Sequence, residues 1–92
     1  MEKAFEELIM EKVVRTEEKN GCTYEYDKNN NCVHCKYSDE YECWKEYDER
    51  GNDIHYKNSN RFEQWREYDE KGKLNHYKNS AGYEYWKEYD EN

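Results

Sequence analysis

The chain has 92 residues, 23 of them acidic and 15 basic, for a formal net charge of −8 and a pI near 4.9. That length allows one small domain over residues 1–92, and charge of that sign disfavours direct binding to nucleic acid or to acidic membranes while favouring a basic protein partner. Only 34% of the residues are hydrophobic and 41% are charged, a balance that by itself describes a disordered chain.

The aromatic content argues for order. Eleven tyrosines, three tryptophans and two phenylalanines can each bury roughly 150–250 Å², so the expected core is a thin sheet of half-covered rings. No stretch is long and apolar enough to cross a bilayer, and no membrane partner is expected. Met1 opens a charged segment without a signal-peptide core, which points to the cytoplasm, where the four cysteines are expected to be reduced.

In chain order, residues 2–12 (EKAFEELIMEK) place Phe5, Leu8 and Ile9 at helical spacing and predict a short amphipathic helix. Val13-Val14-Arg15-Thr16 turns β-like, and Asn20-Gly21 is a two-residue hairpin signal. From there the chain repeats itself. Trp44-Lys45-Glu46-Tyr47-Asp48-Glu49-Arg50-Gly51 returns from Trp65 and again from Trp86, 21 residues apart each time. His55-Tyr56-Lys57-Asn58-Ser59 returns as His76-Tyr77-Lys78-Asn79-Ser80, with a worn copy at Val33–Ser38. A fixed period of this length marks an array of one supersecondary unit.

Tyr47–Asn52 reads as a three-residue hairpin loop with Gly51 in the left-handed position, pairing Asp48 with Asn52 and Trp44 with Tyr56. Ser80-Ala81-Gly82-Tyr83 and its copies at Ser38 and Ser59 read as two-residue loops, pairing Ser59 with Phe62 and Tyr56 with Trp65. The fold class is therefore mainly β. It is an antiparallel meander of about seven or eight strands built from 21-residue hairpin repeats, behind a short N-terminal α-helix. This register places Cys35, Trp44, Tyr56, Trp65, Tyr77 and Trp86 in one cross-strand row, with Glu25, Glu46, Glu67 and Glu88 on one side and Glu42, Glu63 and Glu84 on the other. The histidines fall on the opposite face among Lys45, Arg66 and Lys87, neighbours that disfavour protonation. Tyr26, Tyr47, Tyr68 and Tyr89 line one edge of that basic face.

The units resemble the YD repeats of Rhs-type wall and toxin-shell proteins, whose pattern runs Tyr-x-Tyr-Asp-x-x-Gly-x-Leu. Tyr24-Glu25-Tyr26-Asp27 carries the first part, with Asn30 at the glycine position, and Glu67-Tyr68-Asp69-Glu70-Lys71-Gly72-Lys73-Leu74 carries the rest. The resemblance covers roughly residues 22–92 and implies a hairpin array. The Trp/Tyr/Gly rhythm is also similar to the cell-wall-binding repeats of Gram-positive surface proteins. By size and charge the chain resembles small phage-encoded inhibitors of host defence, including anti-CRISPR proteins, which implies a bacterial host cytoplasm.

Two constellations compete with plain structural readings. Cys22, Cys32, Cys35 and Cys43 include a C-x-x-C and form an alternative zinc set. The expected register points Cys35 away from the other three, so packing thiols are the preferred reading. No nucleophile–base pair and no phosphate loop occur, so neither an enzyme nor a cofactor is expected. The carboxylates are the sharper feature, because successive outward carboxylates on a strand recur about every 6.7 Å and can imitate phosphates around bases. A helix of about eleven residues spans only about 16 Å and leaves part of the Trp row uncovered.

The expected function is an inhibitor acting by nucleic-acid mimicry on a basic, nucleic-acid-binding effector such as a phage-defence (CRISPR-type) nuclease. Trp44, Trp65, Trp86, Tyr56 and Tyr77 are its aromatic anchors, and Glu46, Glu63, Glu67, Glu84 and Glu88 its phosphate surrogates. The alternatives are a glycan-binding aromatic array and a homodimer joined through edge strands at 13–19 and 83–90.

Overall fold

The computed structural model describes residues 2–88. Helix α1 (Phe5–Met10) is followed by strands β1 (Arg15–Lys19), β2 (Cys22–Tyr26), β3 (Cys32–Lys36), β4 (Glu42–Tyr47), β5 (Asp53–Asn58), β6 (Glu63–Tyr68), β7 (Leu74–Asn79) and β8 (Glu84–Trp86). The strands form one sheet in the order β1 to β8, every neighbour antiparallel. The expected meander of hairpins behind a short helix is what forms. The C-terminal edge strand is β8, and the part of the expected 83–90 strand at residues 89 and 90, with Tyr89, lies outside the described residues.

The predicted helix is shortened at both ends. Ala4 occupies the N-cap position and offers no side chain to the free N–H groups, so residues 2–4 stay outside. Val13 and Val14 follow the closing turn, and Val14 N–H already donates to Tyr26 O at 2.8 Å. Ile9 is 1% exposed, whereas Leu8, expected on the same stripe, is 47% exposed.

The turns carry the main correction. Asn20 (φ 52°) and Gly21 (φ 80°) make the expected two-residue hairpin. The Asp48–Asn52 turn also forms as expected: Asp48 N–H donates to Asn52 O at 2.9 Å, and Gly51 takes φ 85°. The second turn is not a two-residue loop. Asn58 N–H donates to Phe62 O at 3.0 Å around Ser59-Asn60-Arg61, and Arg61 takes φ 68°. Both turns of the unit are thus the same three-residue loop closed by an Asx side chain. Asp48 Oδ1 accepts the N–H of Arg50 and of Asn52, each at 2.9 Å. Asn58 Oδ1 accepts the N–H of Asn60 at 2.9 Å and of Phe62 at 3.2 Å. The capping N–H of Asn52 holds the Asp48 carboxyl below its ordinary range, and that of Lys73 does the same for Asp69.

A β-bulge supplies the second correction. Tyr47 pairs with Asp53 but Glu46 pairs with His55, leaving Ile54 as the extra residue; Val33 and Asn75 hold the equivalent places. The bulges at Val33 and Ile54 are pinned from the next strand. Tyr47 donates its hydroxyl to Cys32 O and Tyr68 to Asp53 O, both at 3.1 Å. Burial in these positions pushes both phenols up. The bulge turns β5 over relative to expectation, so Trp44 faces Lys57 in place of Tyr56. The longer second turn then brings Trp65 opposite His55 in place of Tyr56. The two shifts cancel over one unit. Indoles from successive copies still share a face, while every odd-numbered strand of the repeats presents its other side.

Little is buried. Ile9, Val33, Cys35 and Cys43 form the apolar core under α1 and across β3–β4. The accessible surface is 6989 Å² for an 11.5 kDa chain, roughly a fifth above the ~5,800 Å² typical of a compact monomer of that mass. Hydrogen bonding between units compensates in part. Ser59 N–H donates to Glu42 O at 2.8 Å while its hydroxyl accepts Glu42 N–H at 3.0 Å, and Ser80 treats Glu63 alike at 2.8 and 2.9 Å.

Candidate functional site

Directly paired residues of an antiparallel sheet share a face, so the register sorts the predicted site. Trp44, Trp65 and Trp86 lie on one face with Glu46, Glu63, Glu67 and Glu84. Tyr56 and Tyr77 do not join them. Tyr56 pairs with Lys45 and Gln64, and Tyr77 with Arg66 and Tyr85, on the opposite face. Glu88 is exposed beyond the end of β8.

In place of those tyrosines the indole face receives His34, His55 and His76. These are the residues that sequence reasoning put on the wrong side. Each histidine pairs across strands with the tryptophan that follows and stacks on it. The ring centroids are 5.6 Å apart for His34–Trp44, 5.2 Å for His55–Trp65 and 5.0 Å for His76–Trp86. Each also meets carboxylates from both flanking strands or from one. His34 contacts Glu25 at 2.8 Å through Nδ1 and Glu42 at 2.6 Å through Nε2. His55 contacts Glu63 at 2.6 Å. His76 contacts Glu67 at 2.6 Å and Glu84 at 2.8 Å.

The chemistry of the last of these rungs follows from counting protons. A neutral imidazole has one N–H, and two carboxylates at both ring nitrogens are best served by imidazolium, which has two. The hydrogen bonds from Glu67 and then Glu84 accordingly push His76 up from its ordinary value. The expectation that cationic neighbours disfavour protonation is reversed here, because the bulge puts Glu67 opposite His76 in place of Arg66 and the longer second turn moves Lys87 away from it.

Helix α1 covers only the first part of this face. It lies against β3 and β4. Phe5 stacks on His55 with centroids 3.7 Å apart, Glu6 pairs with Lys57 at 2.9 Å, and Lys12 reaches Glu46 at 3.4 Å. Lys57 holds the Glu6 carboxyl below its ordinary value. The third rung is open: Trp86 is 68% exposed and the Glu67 side chain 72% exposed.

The opposite face is a tyrosine layer. Lys45 and Arg66 stand 6.0 and 5.7 Å from the rings of Tyr56 and Tyr77, and the Tyr41 and Tyr56 hydroxyls share a 2.8 Å hydrogen bond. It also holds the cysteines. Cys35 and Cys43 are cross-strand partners joined in a disulfide, with Cα atoms 5.4 Å apart, while Cys22 and Cys32 are free thiols. The expectations of four reduced cysteines and of Cys35 pointing away from Cys43 are both overturned by this pairing. Two members of the alternative zinc set are consumed by it.

No protein-family model, curated protein or solved structure matches the chain. Its chemistry is therefore read from the rungs alone. The signal that could have placed the histidines is the Asx pattern. Asn58 and Asn79 stand five residues before Glu63 and Glu84, just as Asp48 and Asp69 stand five before Asp53 and Leu74, so both turns open on an Asx and have one length.

Proposed function

We propose that this chain is a small binding protein with no catalytic role. It inhibits a basic, nucleic-acid-binding effector of a bacterial host, such as a phage-defence nuclease, by presenting the indole face in place of nucleic acid. The observation that carries this reading is the exposed Trp86 and half-buried Trp65 with Glu63, Glu67 and Glu84 on one face. Each of these carboxylates gives one oxygen to an imidazole. A carboxylate accepts about four hydrogen bonds, so each keeps capacity for a lysine or arginine of the partner. The histidine bonds hold the carboxylates in place beforehand and reduce the ordering cost of binding.

The test is competition. The protein should displace DNA or RNA from its effector, and the displacement should weaken steeply as salt rises from about 0.1 to about 0.5 M, where screening shortens the reach of exposed charges well below 10 Å. Binding unchanged over that range would refute mimicry.

A second reading is favoured by the Trp86 platform. Its indole lies 6° from the plane of His76 on one side and is mostly exposed, a flat ring suited to stacking on a sugar. That reading expects retention on cell-wall polysaccharide, insensitive to salt and lost in Trp86→Ala.

A further inference from the structure

The surface on which α1 sits is written twice in the chain, and among the described residues only one copy is occupied. Under α1, Phe5 stacks on His55, Glu6 pairs with Lys57, Lys12 pairs with Glu46, and Met10 lines a depression with Glu42 and Trp44. Twenty-one residues further on, His76, Lys78, Glu67, Glu63 and Trp65 stand in the same relative positions. The register is the same as well: Trp44–Lys57 and Glu46–His55 become Trp65–Lys78 and Glu67–His76. Ile54, the extra residue of its bulge, takes the place of the buried Val33.

The second copy is vacant in the ways that matter for a ligand. Lys57 has its carboxylate in Glu6, whereas Lys78 has no ion pair among the described residues and stands 5.9 Å from the Trp65 ring. Glu46 has Lys12 and is 35% exposed, while Glu67 is 72% exposed. A shallow depression lined by Ile54, His55, Trp65 and Glu67 lies between them. The two seats are two strands apart, about 9.6 Å, a separation typical of neighbouring packed helices.

We infer that this second seat docks an amphipathic helix of a protein partner whose chemistry copies α1. That helix carries an aromatic ring for His76 and, one residue on, a carboxylate for Lys78. An apolar residue stands four places after the ring, as the buried Ile9 does after Phe5, and a lysine or arginine seven places after it meets Glu67. The inference rests on the packing of α1 and not on electrostatic mimicry. A partner helix could fail to exist while salt-sensitive binding to a basic protein persisted, and the reverse.

The probe is a synthetic peptide of residues 3–12, helix-stapled through positions 7 and 11, titrated into the intact protein by calorimetry and by amide chemical shifts. Saturable one-to-one binding with shifts at His76 and Lys78 is expected. Lys78→Glu should weaken it about tenfold, the size of one charge-assisted contact, and a peptide carrying Glu6→Lys should restore it. Lys57→Glu should leave the affinity unchanged within about twofold, since that lysine belongs to the occupied seat. Loss of binding in Lys57→Glu but not in Lys78→Glu would mean that the peptide merely displaces α1, and would overturn the inference. So would the absence of saturable binding at millimolar peptide. Self-association of the protein that disappears in Lys78→Glu would assign the seat to a second copy of the chain, and would equally overturn a foreign helix.

Discussion

Replacing Asn58 with alanine tests the turn that sets the parity of the whole array. Asn58 is 9% exposed. Its Oδ1 accepts two backbone N–H groups, from Asn60 at 2.9 Å and Phe62 at 3.2 Å, and its Nδ2 donates to the Tyr56 hydroxyl at 3.3 Å. Alanine removes all three. At about 1 kcal/mol net for a good bond, and less for the longer ones, the loss is about 2 kcal/mol. For a chain of this length, unfolding entropy near 2.1 cal/mol/K per residue converts that into a fall in Tm of about 10 °C. Asn58→Asp keeps the acceptor, as Asp48 does in the sister turn, and gives up only the donor to Tyr56. It should cost about 0.5–1 kcal/mol. Urea unfolding followed by tryptophan fluorescence gives both numbers, provided m stays constant across the variants. If the aspartate variant is as unstable as the alanine variant, acceptance by Oδ1 is not what holds the turn, and the account of why both turns are alike fails.

Three further outcomes are expected. Arg61 adopts φ 68° where the last repeat has Gly82 at φ 91°, so Arg61→Gly should stabilise the fold by about 0.5–1 kcal/mol in the same urea assay; destabilisation would contradict the left-handed assignment. Reducing the Cys35–Cys43 bond, which closes a sequence separation of 8, should cost about 2.5 kcal/mol from loop-closure entropy, read as a drop in midpoint on adding reductant that a Cys35→Ser/Cys43→Ser protein does not show. The His76 pKa is raised in the folded state by Glu67 and Glu84. The stabilisation it brings is therefore full below its unfolded value of about 6.5 and is lost as pH rises through the folded value. NMR titration should find the His76 midpoint above 6.5, and Glu67→Gln should lower it further than Glu84→Gln does.

Much of the fold is legible without coordinates because it is written by period. The recurrence of Trp44, Trp65 and Trp86, the Asn20-Gly21 hairpin and the Asp48–Gly51 turn suffice for a meander behind a helix. The distribution of side chains between the faces was only half legible. Residues on the tryptophan strands, such as Glu63 and Glu67, fall where alternation puts them, since no bulge residue lies within β4 or β6. Those on the intervening strands do not, because Ile54 is an ordinary β-branched residue whose bulge is imposed by the Tyr68 hydroxyl on Asp53 O, a contact from another strand. Asn58 also has two readings. It can end a strand or open a turn, and only the N–H groups it accepts decide between them. The disulfide was missed for the same cause, since Cys35 meets Cys43 only in the observed register.

The tyrosine hydroxyls that pin the bulges at Val33 and Ile54 and the serines that tether one strand to another reach no further than the adjoining hairpin. Nothing in such a ribbon has to close on itself, so its length is not fixed by its shape. An added set of 21 residues would carry its own turns, bulge and anchors, and would extend the sheet by about 9.6 Å without disturbing what precedes it. With α1 stationed over β3 and β4, the number of open rungs beyond it becomes a quantity adjustable in whole steps, and the reach of the surface is set by duplication alone.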